Sequence, residues 1–438
     1  MKNGELAIEI LENNGYEAYF VGGCVRDMLM GIVPHDFDIT TSALPEETVA
    51  AFDGFRVILT GLKHGTVTVL IENEPIEITT FRSDGEYSDH RRPESVSFSR
   101  KLEDDLSRRD FTVNAMAYSK RTGLIDLYGG KEDINKRLIR AVGEPEKRFT
   151  EDALRILRAL RFASEKEFFI EPETAKAILK CLPLIEFVSA ERIFSELKRL
   201  IMGKGAERVM MDYPEVICRV VPALADCVGF DQHNPHHIYD VYRHTVRALG
   251  ACPFDIDVRL AALLHDVGKP STFTLSDGVG HFYGHTDASL SLAKETLDLL
   301  KCDNRTADTV LTLIKYHDPV IEPTEKAVKR LMNKIGSENL DKLLSLKAAD
   351  NLAQSPDCAA RLVTYDGIRR IMGEIESKKE CFSLKSLEVN GDDLIAIGVP
   401  KGKEIGALLE RLLGAVMDGE APNDRQHLIA LAMKFRKG

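Results

Sequence analysis

The sequence predicts an α+β protein, with a small mixed sheet and its covering helices first and a helical remainder after it. Two patterns carry this reading. Up to about residue 130, short β-branched runs such as VILTG, TVTVLI and PIEITTF are punctuated by Gly, Asn and Pro, as the strands of a small sheet require. From about residue 131, Leu, Ile, Ala and Val recur at three- and four-residue spacing to the end, with Pro and Gly at the joints and no repeat or low-complexity tract.

Composition narrows the class. With 438 residues, 44% hydrophobic and 29% charged, the chain has material for roughly two to four compact units. A formal net charge of −11 argues against a protein that coats nucleic acid indiscriminately, because such binding depends on massed Lys and Arg. A local basic surface is still available: Lys136, Arg137, Arg140, Lys147, Arg148, Arg155, Arg158 and Arg161 cluster between Lys131 and Lys166, with a solvated helix face as the plain alternative. The eight cysteines are scattered without a C-x-x-C pair, which favours free thiols in a reducing compartment. The N-terminus places acidic residues inside an apolar helical pattern, unlike a secretory signal, and no apolar run reaches membrane-spanning length. A cytoplasmic protein with no membrane partner is expected.

The first constellation joins GGCVRD at 22–27 to HDFDIT at 35–40. A Gly-Gly turn between strand and helix lets the backbone N–H groups of Gly22 and Gly23 approach phosphate oxygens, with Arg26 adding a cation. On a strand, Asp36 and Asp38 fall on one face, where they can hold a pair of Mg²⁺ ions between an attacking 3′-hydroxyl and a nucleoside triphosphate. Glu77, alternating with Ile76 and Ile78, is the candidate third carboxylate. A lone D-x-D is more often a turn or a solvated edge. Its company strengthens it: LSRRDFTVNAMAYS at 106–119 supplies Arg108, Arg109, Asp110 and Asn114, which suit clamping a triphosphate and bonding ribose hydroxyls. The plain alternative is a surface salt-bridge cluster leading into a core helix.

These residues resemble the class II tRNA nucleotidyltransferases and bacterial poly(A) polymerases of the polymerase beta superfamily. The matching motifs are GGCVRD, DFDIT, TGLKHGTVTV, EITTFR, DHRRPESVSF, RRDFTVNA, IDLYGGKEDINKRLIRAVG and FTEDALRILRALRF, an ordered series from residue 20 to 163. The stretch LEVNGDDLIAIGVPKGKEIGALLERLL resembles the tail of CCA-adding members. The resemblance implies a polymerase-beta-like nucleotidyltransferase head over 1–135, a helical neck over 136–225 with a base-selecting and RNA-binding role, a helical domain over 226–375, expected to be of HD type and metal-binding on the residues given below, and a helical tail over 376–438. It further implies template-independent addition of C, C and A to the 3′ end of tRNA from CTP and ATP, with release of pyrophosphate and Mg²⁺ as cofactor.

Base selection is expected from EDALRILRALRF, read as one helix on its 3.6-residue period, which places Arg155 one turn from Glu151 and Asp152. The plain alternative is an i,i+4 salt bridge worth about 0.3–0.5 kcal/mol. Cytosine and adenine each present an amino donor beside a ring-nitrogen acceptor, whereas uracil and guanine present a carbonyl beside an N–H. A carboxylate next to a guanidinium therefore accepts C and A and leaves buried groups unpaired against U and G. The resemblance carries that role onto Asp152 and Arg155, with Glu151 supporting, and places Arg158 and Arg161 at the nucleotide. GLKHGTVTVL resembles the CCA-adding branch. The loop DGEYSDHRRPESV from Asp84 to Val96 is intact, and in this family that loop is associated with the switch from C to A addition.

A second constellation lies in the helical part, where eight of the twelve histidines fall between His233 and His317. His244 in DVYRHT, His265-Asp266 in LAALLHDVGKP and Asp350 in SLKAADN have the H…HD…D order of the HD phosphohydrolase superfamily, which they resemble. Imidazole and carboxylate ligands suit Mn²⁺, Fe²⁺, Ni²⁺ or Mg²⁺, and a bound metal can activate water against a phosphate ester. His285 and His317 are candidates to complete a second metal position. Two other readings stay open: an HD-type nucleotide phosphohydrolase with an RNA-binding N-terminal half, and an A-adding enzyme or poly(A) polymerase.

Overall fold

The computed structural model describes residues 1–34, 36–62, 65–84, 96–234, 237–355 and 360–437. Most of the loop DGEYSDHRRPESV, together with His35, Lys63 and His64, lies outside the described residues. The chain divides into two compact units, Met1–Pro222 and Ala223–Gly438.

The first unit is built on a seven-stranded mixed sheet. In spatial order its strands are Arg56–Ile58, Thr66–Ile71, Glu74–Thr80, Asp38–Thr41, Ala18–Val21, Met116–Ser119 and Gly123–Asp126. All neighbours are antiparallel except Asp38–Thr41 beside Glu74–Thr80. TVTVLI buries every second residue, as a period-2 strand with one covered face must. The helix Lys2–Asn13 covers the sheet through Gly4, Ala7, Ile8 and Leu11, spaced three and four apart. The strand Ala18–Val21 is buried throughout and ends at Gly22, whose φ of 77° turns the chain into the helix Gly23–Leu29. That conformation is open to glycine at little cost. A Cβ there would also sit 3.0 Å from Nη1 of Arg109.

Beyond the sheet, the unit includes the helices Pro145–Glu151, Leu154–Lys166 and Ala190–Ile201 and a short parallel strand pair, Leu138–Ile139 beside Phe169–Ile170. In the second unit the helices Val241–Ala251, Ile256–Leu264, His285–Leu299, Asn304–Tyr316 and Ser337–Leu352 surround the histidine-rich stretch. Asp240 caps the first of these and Asp255 the second, each accepting from backbone N–H groups in the first turn. A small hairpin, Thr274–Ser276 and Val279–His281, interrupts the helices. At the C-terminal end, Gly391–Ala396, Lys403–Met417 and Arg425–Lys437 share an apolar cluster that includes Leu394, Leu412, Leu413 and Leu428. Among the described residues no helix is long and apolar enough to cross a membrane.

Candidate functional site

The strand containing the D-x-D motif begins at Asp38, so Asp36 sits just before it in a bend rather than on the strand itself. Ile39 is buried at 1% exposure and Phe37 packs on Phe20 with ring centroids 5.5 Å apart, so the intervening acidic residues are left toward solvent. Glu77 is the parallel-strand register partner of Asp38 and is also exposed, which puts three carboxylates along one edge of the sheet face. Although part of its surface is exposed, loss of solvent around the Asp38 carboxyl within the cleft pushes it above its usual range; Arg109 opposes the shift and Asp36 adds to it.

Facing Asp36 and Asp38 is a cavity of about 480 Å³ lined also by Gly22, Gly23, Arg109, Asp110, Asn114, Arg158 and Arg161, among others. Its walls are held by a buried polar relay. Nη1 of Arg26 donates to Oδ1 of Asn114 at 2.6 Å, and Nδ2 of Asn114 donates to Oδ1 of Asp110 at 3.1 Å. Oδ2 of Asp110 accepts from Nε and Nη2 of Arg158 at 2.9 and 2.6 Å. Burial works against the Asp110 charge, but Arg158 and the other donors hold its carboxyl down at about 2. Arg26, Arg158 and Arg161 all stand over the Phe162 ring, at 5.4, 5.4 and 4.1 Å. Arg109 is braced by Asp105, fully buried, whose Oδ2 lies 2.9 Å from its Nη2 and 3.3 Å from the Thr40 hydroxyl.

A second, smaller cavity of about 260 Å³ is lined by Arg108, Arg109, Asp110, Asp152, Leu154, Arg155, Arg158 and Arg192. Arg109, Asp110 and Arg158 line both spaces, so the acidic edge and the Asp152–Arg155 pair open onto one continuous wall.

Two expectations need correction here. EDALRILRALRF is not one helix: the first helix stops at Glu151, Asp152 is extended at φ −139° and ψ 103°, and the next helix starts at Leu154. The cause is local competition from the Asp152 side chain, whose Oδ1 accepts the Leu154 N–H at 3.1 Å and so starts a new helix. Glu151 still reaches Arg155, at 2.8 Å, but Asp152 pairs with Nη2 of Arg192 at 2.9 Å. The second correction concerns the basic cluster from Lys131 to Lys166, which is not one surface: Lys136, Arg137 and Lys147 are exposed, whereas the later arginines are tied into the protein. Arg155 and Arg161 are 9% and 2% exposed and Arg140, Arg148, Arg155, Arg158 and Arg161 are all in ion pairs.

Arg192, Glu196 and Lys166 were not legible as site residues. Arg192 lies 40 positions from Asp152, and its Nη1 is buried in the wall of the smaller cavity with no hydrogen-bond partner among the described residues. Glu196 carries Arg161 at 2.9 Å, and Lys166 carries Asp27 at 2.9 Å. The signal available was Arg192, Glu196 and Arg199 at i, i+4 and i+7, a charged stripe on a helix whose other face is apolar.

In the second unit His244, His265, Asp266 and Asp350 converge, with one ligand atom from each lying within 4.8 Å of the others. His265 and Asp266 stand where the apolar helix Ile256–Leu264 ends, and both are buried, at 0% and 2% exposure. Nε2 of His244 is 2.9 Å from Asp350 and 3.3 Å from Asp266; Nε2 of His265 is 3.2 Å from Asp266. Neither Nε2 makes an oriented hydrogen bond there. Burial alone would lower the His265 imidazole, but Asp266 and Asp350 raise it to about 10. Mixed imidazole and carboxylate donors fit a divalent transition metal. Beside the cluster is an open cavity of about 650 Å³ whose lining includes Asp266, Lys269, Tyr283, His285, His317, Lys347, Asp350 and Arg361.

Comparison with known proteins matches the poly(A) polymerase head domain over residues 18–140, the RNA and SrmB binding site of polymerase A over 167–213 and tRNA nucleotidyltransferase domain 2 over 282–432. The CCA-adding enzyme of Geobacillus thermodenitrificans (strain NG80-2) is 50% identical over 98% of this chain and 95% of its own length. That of Geobacillus stearothermophilus is 34% identical over the same shares. Among solved structures, the Bacillus stearothermophilus CCA-adding enzyme in complex with CTP superposes with a TM-score of 0.76 at 30% identity, covering 100% of this chain and 97% of that one. With relatives this similar along nearly the whole length, and with head, RNA-binding and second-domain matches following one another along it, the chain belongs to the family of CCA-adding enzymes.

Proposed function

We propose that this chain rebuilds the 3′ end of tRNA by adding C, C and A from CTP and ATP without a nucleic-acid template, releasing pyrophosphate at each step. The observation that carries the reading is the shared wall of Arg109, Asp110 and Arg158, which joins the Asp36–Asp38 edge to the Asp152–Arg155 pocket. A nucleoside triphosphate laid along it meets metal-binding carboxylates at its phosphates and a carboxylate–guanidinium pair at its base.

Asp36 and Asp38, with Glu77 beside them, would hold Mg²⁺, which supplies charge neutralisation and activation of the 3′-hydroxyl. Arg109, fixed by Asp105, and Arg26, fixed by Asn114, present donors to the triphosphate. The turn at Gly22 and Gly23 brings backbone to the same phosphates. Asp110 and Asn114 set the arginine positions and offer polar groups toward the ribose. At the base, Asp152 accepts from the exocyclic amine of C or A and Arg155 donates to the ring nitrogen, Glu151 orienting Arg155 and Arg192 orienting Asp152. Uracil or guanine would leave those buried groups unpaired, which costs far more than a poor fit of apolar surface.

A second activity is favoured by the His244, His265, Asp266 and Asp350 cluster, which would hold a divalent metal and support phosphate-ester hydrolysis in the adjoining cavity. The seven described cysteines are free, in keeping with a cytosolic setting.

Incubation of the protein with tRNA ending before CCA, CTP, ATP and Mg²⁺, followed by sequencing of the product ends, should give CCA termini. Asp38→Ala should lower transfer by on the order of 10³-fold or more while leaving phosphate-ester hydrolysis at the histidine cluster unchanged. Long A tails, A alone, or unimpaired transfer by Asp38→Ala would each overturn the assignment.

A further inference from the structure

Asp152 is held by two elements at once. Its Oδ1 accepts the Leu154 N–H at 3.1 Å, and its Oδ2 accepts from Nη2 of Arg192 at 2.9 Å. Arg192 stands in the first turn of the helix Ala190–Ile201, whereas Arg155 belongs to the helix Leu154–Lys166. Both arginines and Asp152 line the cavity of about 260 Å³.

The two guanidinium groups are committed very differently. Arg155 is fastened on both terminal nitrogens: Nη1 donates to Glu151 at 2.8 Å and to the Arg148 carbonyl at 3.1 Å, and Nη2 donates to the Arg108 carbonyl at 3.0 Å. Among the described residues Arg192 is held only through Nη2, by Asp152, and its Nη1 is buried with no partner. Yet 28% of the Arg192 side chain stays exposed, so the group is not walled in. A guanidinium carries five N–H donors and no acceptor, and a donor left unmade in a wall is satisfied at a gain when a ligand brings an acceptor to it.

Cytosine and adenine part company on the side of the amine that Arg155 does not read. On one side of the exocyclic amine each has the ring-nitrogen acceptor that suits Arg155. On the other side adenine presents N7, an acceptor, whereas cytosine presents a C–H that accepts nothing. A base whose amine is accepted by Asp152 therefore has one guanidinium for its shared edge. Arg192, bonded to the same carboxylate but arriving from another helix, is the donor left for the edge that only the purine has.

We propose that Arg192 is a specificity-determining residue that turns about its bond to Asp152 and donates to N7 of adenine, giving ATP a contact at the base that CTP lacks. This rests on the reading that Asp152 and Arg155 hold the amine and the ring nitrogen. Guanine also carries N7, so Arg192 separates A from C, while exclusion of G stays with Asp152 and Arg155. The pocket thereby treats its two correct bases unequally, although the pair that admits them treats them alike.

The test is calorimetric titration of the full chain with Mg²⁺ and no tRNA, using ATP, CTP, UTP and 7-deaza-ATP, which replaces N7 by a C–H and leaves the Watson–Crick edge intact. The parent should bind 7-deaza-ATP about tenfold more weakly than ATP, the loss expected for one hydrogen bond to a charged donor. Arg192→Gln keeps a donor for Asp152 on a shorter side chain, so it should bring ATP down to the level of 7-deaza-ATP and leave CTP unchanged. Arg192→Met should weaken all the nucleotides by loosening Asp152, with ATP and 7-deaza-ATP again equal. Equal binding of the two by the parent would overturn the proposal. So would an Arg192→Gln chain that still prefers ATP to 7-deaza-ATP as the parent does, since Arg192 would then serve only to position Asp152. Failure of the underlying reading looks different: a parent that does not prefer CTP to UTP would remove base selection from Asp152 and Arg155 whatever the ATP pair shows. If Arg192→Met fails to fold, the parent and Arg192→Gln decide.

Discussion

Asp110 illustrates how much one side chain does in the transferase cleft. It is 8% exposed and accepts from the Phe111 N–H at 2.8 Å, from Asn114 and from both donors of Arg158. Its folded pKa of about 2 lies below the ordinary aspartate value of 3.8, so the unfolded chain binds the proton more tightly than the folded one. The stabilisation is therefore fully present above pH ~4 and is lost as the pH falls toward 2. Asp110→Asn should cost about 2 kcal/mol at pH 7 by urea unfolding, and the gap to the parent should narrow below pH 4. A gap independent of pH would mean that shape rather than charge is what Asp110 contributes. Asp110 and Arg158 could both be named from the sequence as nucleotide-site residues because each sits in a recognisable motif. That they bind each other could not, since nothing in local spacing joins positions 48 apart. Arg192 escaped for the same reason.

At the scale of elements, hydrophobic period located helices and strands, while side-chain competition for the backbone decided where they broke. The interruption at Asp152 is invisible to a 3.6-residue pattern, because the buried Phe149, Ala153, Ile156, Leu157 and Leu160 keep an apolar period across it. Close approach is equally hidden. Gly268, two residues after Asp266, lies against the first turn of the helix His285–Leu299, where a Cβ would stand 2.5 Å from the Ser289 nitrogen and 2.7 Å from the His285 carbonyl oxygen. Those are backbone atoms and cannot swing aside. The Gly268 N–H also donates to the Ser289 hydroxyl at 2.9 Å, so the two segments are fastened as well as close. Gly268→Ala should cost about 1–3 kcal/mol by thermal or urea unfolding, and should move His285 away from Asp266. Unchanged stability would show that the helix yields easily and that the contact does not position His285.

For the whole molecule, the ordered motif series identified the family, yet strand order was not legible. Period-2 runs reveal that a segment is a strand without revealing its neighbour, so the parallel pairing of Asp38–Thr41 with Glu74–Thr80, which sets Glu77 beside Asp38, emerges only in the folded chain. Among the described residues, both cavities assigned to the nucleotide are lined by residues of Met1–Pro222, and the ion pairs named above that brace them lie in the same unit. Base choice should therefore belong to that unit alone, with no nucleic acid needed to create it. A fragment of residues 1–222 should bind CTP and ATP at least about tenfold more tightly than UTP and GTP in calorimetric titrations with Mg²⁺, a difference of about 1.4 kcal/mol or more. Asp152→Ala in the same fragment should bring the four nucleotides close together by removing the acceptor for the exocyclic amine. Equal binding by the unmodified fragment would take base selection away from Asp152 and Arg155.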